Sequence, residues 1–119
     1  MTSPQTGLHG PHPLTSQHID SAVRGVGPGA YALGREEGNT FFVSYVGRSD
    51  IDLNHRLKDW ADTKYTHFKF GFLPSANAAF EKECAVFHDF GGTAKLDNNI
   101  HPDRPAGSNW RCPRCAVFG

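Results

Sequence analysis

Neither sign of charge is in excess in this 119-residue chain: 12 Lys and Arg stand against 12 Asp and Glu. A formal charge of zero removes any long-range pull toward nucleic acid or an anionic membrane, so an anion site has to be built locally. Long apolar runs are missing as well. A spanning helix needs about 20 consecutive apolar residues, and nothing here approaches that. The opening MTSPQTGLHGPHPLTSQ lacks the charged start and apolar centre of a secretory signal. The expectation is a cytoplasmic chain with no membrane partner. Cysteine is scarce and odd in number, three in all. A paired disulfide framework does not fit that count, whereas the spacing Cys112-x-x-Cys115 suits metal or redox chemistry.

What the chain does hold is 38% apolar residues, enough for one core and too short a length for two ordinary domains. Residues 1–17 are rich in Pro, Gly, Ser, Thr and His without a hydrophobic period. That predicts a disordered leader over 1–23 and a single domain over 24–119. From Ala30, AYALG, a polar turn and TFFVSYVG predict an antiparallel hairpin. Strict alternation puts Phe41, Val43 and Tyr45 on one face of its second strand. Ser49 or Asp50 offers a cap for a helix with Leu53, Leu57, Trp60 and Ala61 on one stripe. THFKFGFLP, with Phe68, Phe70 and Phe72 in alternation, predicts a third strand. Ser75 caps a second helix from Ala76 to about Phe90, stopped by Gly91-Gly92. The predicted fold is α+β: a small antiparallel three-stranded sheet with helices packed on it, in the order β-β-α-β-α, closed by a zinc-clipped C-terminal loop.

Gly29-Ala30-Tyr31, then Tyr45-Val46-Gly47 after the hairpin, Arg56 in the next helix, a glutamate in the second helix and an asparagine beyond it occur in that order. On these features the chain resembles the GIY-YIG nuclease family over residues 29–99. Ala30 replaces the Ile of the first tripeptide, and Ile51 looks like one extra residue before the helix. The resemblance implies a metal-dependent endonuclease that hydrolyses phosphodiester bonds in DNA. It implies that Tyr31 or Tyr45 is the general base or orients water, that Arg56 and Arg48 hold the phosphate, and that a helix glutamate binds Mg²⁺ or Mn²⁺. Its terminal asparagine maps to Asn98 or Asn99, with Asn98 preferred.

The residues themselves carry part of this. Tyr31 and Tyr45 lie on adjacent strands, where two phenols can converge or simply pack. Gly47 allows close backbone approach at the strand end, and a planar guanidinium suits a phosphate better than an ammonium. Of the two helix glutamates, Glu83 shares the apolar stripe with Ala79, Phe80 and Phe87, while Glu81 does not. A carboxylate on a buried face must be paired or bind a cation. The cation reading is preferred for Glu83 over pairing with Lys82. His55, Lys58 and His67 are expected to line the same cleft as substrate-binding residues.

A second metal of a different kind is expected. Cys84 and His88 are four apart on one helix, and with Cys112 and Cys115 they make a Cys₃His set with the spacing of a structural zinc site. His101 is the alternative to His88. Two readings rival the enzyme: a nucleic-acid-binding module that keeps the scaffold without turnover, and a zinc-stabilised protein-interaction domain. DNA is the expected partner and the chain is expected to be a monomer or weak dimer; one active site cuts one strand, so a double-strand break needs a dimer or two encounters.

Overall fold

The computed structural model describes residues 6–116. Among them are four strands and four helices: β1 (His9–Pro13), α1 (Ser16–Ala22), β2 (Gly29–Glu37), β3 (Thr40–Ser49), α2 (Leu53–Lys58), β4 (His67–Phe72), α3 (Ala76–Asp89) and α4 (Gly92–Lys95). The strands form one antiparallel sheet in the order β1-β4-β2-β3. The fold is α+β, but with four strands where three are predicted. No helix among the described residues is long and apolar enough to cross a membrane.

The additional strand and α1 both come from the stretch predicted to be a disordered leader; residues 1–5 of that stretch lie outside the described residues. His12 packs its ring against Phe68 and Phe70, and Leu14, Ile19 and Val23 are buried in the same core. Thr15 caps α1, its side chain accepting from the His18 amide. The prediction fails because HGPHP has no alternation to read. Its prolines sit on an outer strand, where a missing N–H does not break a ladder.

One face of the sheet carries Tyr31, Leu33, Phe68 and Phe70, closed by Ile19 and Val23 of the α1 region and by Leu53 and Leu57 of α2. Each such side chain contributes about 1.5–3 kcal/mol on leaving water. The opposite face holds Val46 against Val86, Phe87 and Leu96, which brings α3 onto β2 and β3. Ala30 and Ala32 of β2 are fully buried, and their small side chains leave room for α3 there.

The hairpin register slips once: Leu33 faces Tyr45 and Gly34 faces Val43, so Ser44 is an extra residue. A bulge of this kind breaks the period of two. Val43 consequently packs with Val46 on the α3 side, while Tyr45 joins Tyr31 on the other. Simple alternation puts Val43 and Tyr45 together, and the bulge overturns that. Ser75 caps α3 as predicted, and Gly91, at φ 97°, ends it. Asp52, rather than Ser49 or Asp50, caps α2. Ser49 instead accepts from the amides of Ile51 and Asp52 in the turn before it.

Candidate functional site

The end of β3 borders an open cavity of about 520 Å³. Tyr31, Tyr45, Gly47, Arg48, Arg56, Glu83 and Asn98 all line it, so residues from two strands, two helices and a loop meet around one space. His55, Lys58 and His67 are not among the lining residues. His55 is exposed on α2, Lys58 is turned to α1 with Nζ 2.6 Å from Asp20, and His67 sits beside Glu36 at the far end of the hairpin. On a helix, positions one and two from Arg56 are rotated by roughly 100° and 200°, which explains the first two.

Tyr31 is 1% exposed. Its ring passes over Gly47, directly across the ladder, and a Cβ at residue 47 would collide with the phenol. Glycine is therefore needed there to let the ring lie flat and its hydroxyl reach the strand end. That hydroxyl accepts from Trp60 Nε1 at 2.9 Å, which leaves its own proton to be donated elsewhere. Burial pushes the Tyr31 phenol up to about 12, against the opposing influence of Trp60 and Arg56. Tyr45 stacks on Trp60 with centroids 4.7 Å apart. Its phenol is also raised, by burial first and then by the charge of Glu83. At neutral pH both groups are neutral hydrogen-bonding phenols.

Glu83 is 7% exposed, whereas Glu81 is exposed, as the helical stripe predicts. Its Oε1 accepts from Arg48 Nη1 at 2.7 Å, and Arg48 Nε donates to Asp50 Oδ1 at 2.7 Å. The same guanidinium lies 5.1 Å from the Phe80 ring and 5.8 Å from that of Trp110. Burial raises the Glu83 carboxyl to about 7, with Arg48 pulling in the opposite direction. The Arg56 side chain is half-exposed, 3.7 Å from Asp59 and beside the Tyr31 phenol. Arg48 thus clamps two acids while Arg56 remains largely in solvent.

Asn98 is 8% exposed and bonds the β3 backbone twice. Its Oδ1 accepts from the Val46 amide at 3.0 Å and its Nδ2 donates to the Val46 carbonyl at 2.8 Å. Of the two asparagines it is Asn98 that lines the cavity, whereas Asn99 is exposed and borders a different hollow. Each polar arm of Asn98 is engaged by the β3 backbone, which ties the start of the loop to the strand end.

A cysteine and histidine cluster adjoins the cavity. One ligand atom each of His88, His101, Cys112 and Cys115 lies within 4.8 Å of the others, and the set could hold a metal such as zinc. His88 Nε2 and His101 Nε2 are 3.2 Å apart, and Cys115 Sγ is 3.3 Å from His101 Nε2. Ligands around a tetrahedral zinc stand about 3.3–3.8 Å apart. His101 Nδ1 lies 2.8 Å from the Pro102 carbonyl, a partner that fixes the tautomer with the Nε2 lone pair toward the cluster. His88 is shifted down, by burial and by His101, which favours the neutral ligand form. The Arg114 amide donates to Cys112 Sγ.

Cys84 is not in the set. It is fully buried with Phe80 and Cys112, and burial drives its thiol pKa upward. The sequence offers His88 and His101 as alternatives beside Cys84, but both histidines converge and the helix cysteine is core. Sequence reasoning also misses Asp50 and the cavity-lining role of His101. Asp50 had a readable signal, standing two residues past Arg48 at a strand end; His101 had none. No protein-family model, curated protein or solved structure matches this chain at a significant level.

Proposed function

We propose that the cavity is the active site of a metal-dependent endonuclease that hydrolyses phosphodiester bonds in DNA, in the manner of the GIY-YIG nucleases the sequence resembles. What supports the reading is the convergence on one open space of Tyr31, Tyr45, Arg48, Arg56, Glu83 and Asn98, side chains scattered over most of the ordered chain. A single buried carboxylate beside an open cavity suits Mg²⁺ or Mn²⁺, which bind through one or two protein carboxylates together with water and substrate phosphate. When bound, such a cation supplies positive charge at the phosphate and at the leaving oxygen.

The chain's own residues do the rest. The Tyr31 hydroxyl, its oxygen already accepting from Trp60, orients the attacking water, and Tyr45 completes the contact on the same sheet face. Water attacks phosphorus as the bond to the bridging oxygen on the opposite side breaks, the water losing a proton to solvent and the departing oxygen taking one from solvent. Arg56 holds a non-bridging oxygen, where a planar fork is worth most as negative charge builds. Arg48 steadies Glu83 and Asp50, and Asn98 positions the lip of the site. The Cys112 and Cys115 thiolates with His88 and His101 hold zinc as a structural ion, since four protein ligands leave no open coordination position.

Plasmid and branched DNA incubated with Mg²⁺, Mn²⁺ or EDTA test the reading. Nicking that requires the divalent ion and disappears in Glu83→Gln is expected; no nicking under any metal, or undiminished nicking by Glu83→Gln, overturns it. The Arg48 to Glu83 ion pair favours one rival, a non-catalytic nucleic-acid-binding module in which the acid only anchors the arginine. That rival expects DNA binding by the wild type with no product under any ion.

A further inference from the structure

Four consecutive cavity-lining residues, Ile100, His101, Pro102 and Asp103, come from a stretch with no regular secondary structure. One of them, His101, also belongs to the metal cluster. We propose that metal held by His88, His101, Cys112 and Cys115 is what keeps this loop in place as the outer wall of the cavity, so that the zinc centre sets the shape of the site it does not enter. The proposal rests on the preceding reading only for what the cavity does, not for what holds its wall.

Asn98 pins the beginning of the loop to Val46. Beyond that point Pro102 is buried, Ile100 is 69% exposed, and Asp103 accepts from the next amide, that of Arg104. Arg104 Nη1 donates to the Trp110 carbonyl, which ties one part of the tail to another part of the tail. Among the described residues the links to α3 include the packing of Trp110, Cys112 and Cys115 with Phe80 and Cys84, the His101 ring against Phe87, an exposed pair between Arg114 and Asp89, and the cluster itself. Exposed ion pairs contribute little, and apolar packing of these rings and thiols is non-directional. The four ligands, by contrast, draw α3, the wall and the C-terminal turn to one point.

Two consequences reach the chemistry. His101 is at once a ligand and a wall residue, so a metal that fixes its ring also fixes Ile100 and Pro102 on either side. Trp110, two residues before the ligand Cys112, lies over the Arg48 guanidinium. Loss of the metal therefore loosens one wall and uncovers the arginine that holds Glu83, while the sheet, with its own cores on both faces, stays folded.

Zinc content, thiol reactivity and amide relaxation test this on the wild-type chain, with zinc removed by a zinc-selective chelator in the presence of excess Mg²⁺. One zinc per chain is expected. With zinc bound, no thiol reacts quickly; after removal all three do, because the tail that covers Cys84 has left. The ¹⁵N heteronuclear NOE of Ile100, His101 and Asp103 falls on removal, while amide shifts within β2 and β4 hold, and added Zn²⁺ restores the starting state. Cys112→Ser should behave like the stripped wild type. Absence of bound zinc overturns the proposal, as does a stripped chain in which only two thiols react and the loop amides stay rigid. DNA cleavage is expected to drop at least tenfold on zinc removal. A chain that never cleaves but loses its wall sinks the nuclease reading alone; one that cleaves equally well without zinc sinks this one alone.

Discussion

The cavity has two walls held by different physics. On the hairpin side, Tyr31 and Gly47 face each other across a backbone ladder, and the tyrosine ring packs in a core with Leu33, Leu57, Phe68 and Phe70 while the residue still borders the cavity. On the tail side, the loop from Asn98 to Asp103 is held by the Asn98 side-chain amide, by the buried Pro102 and the His101 ring on Phe87, and, in the reading proposed above, by a metal at the His101 cluster. The first wall forms when the chain folds. In that reading, loss of the metal releases the second wall without losing the first.

The sharpest way to break that contrast is to remove the group lying between the walls. Glu83→Gln keeps the shape of the side chain and deletes its charge, and single-turnover cleavage should drop by roughly 10³-fold with the thermal transition still cooperative. Next in size, Phe68→Ala empties a fully buried site under the hairpin wall. It should lower the stability of the whole chain by about 4 kcal/mol, read from urea unfolding. Asn98→Ala attacks the other wall, leaving the Val46 amide and carbonyl without their partners. About 2 kcal/mol is expected, accompanied by faster hydrogen exchange at Val46 and little change in the β2 to β4 ladder.

The pH dependence reports the acid directly. Burial raises Glu83 to about 7 from an ordinary 4.5, so between those values the folded chain keeps a proton that the unfolded chain has released. Stability should then fall as pH rises through that window, and the fall should be absent from Glu83→Gln. A cation needs the ionised form, so Mn²⁺ affinity measured by calorimetry should strengthen about tenfold per pH unit up to about pH 7 and level off above it. The smallest effect is expected from Trp60→Phe, which removes the donor to Tyr31 and should cost about 1 kcal/mol. Its signature is altered cleavage with both walls still ordered.

How much of this was legible in the sequence follows the same division. The hairpin, β4, α3 and its two ends could be read because their apolar residues repeat at the period of the element and their caps are Ser and Gly. Glu83 could be separated from Glu81 because a buried stripe on a helix is a matter of angle. β1 was illegible because a strand of Gly, His and Pro carries no alternation, although Ile19 and Val23, four apart, were an available sign of α1. Positions near the bulge were misread because the slip at Ser44 depends on pairing across the hairpin. In the tail, CxxC announced a metal, but the choice among Cys84, His88 and His101 turns on where an irregular loop passes.

Asn98 also closes something. An outer strand offers a row of N–H and C=O groups to which another chain can add, and β3 is outermost on its side. Asn98 occupies those of Val46, and the Asp97 amide takes the Ser44 carbonyl. At the opposite margin β1 presents Pro11 and Pro13, which have no donor to give. Both margins are blunted against strand addition, so two copies of the chain would have to meet through side chains rather than by extending one sheet into the next.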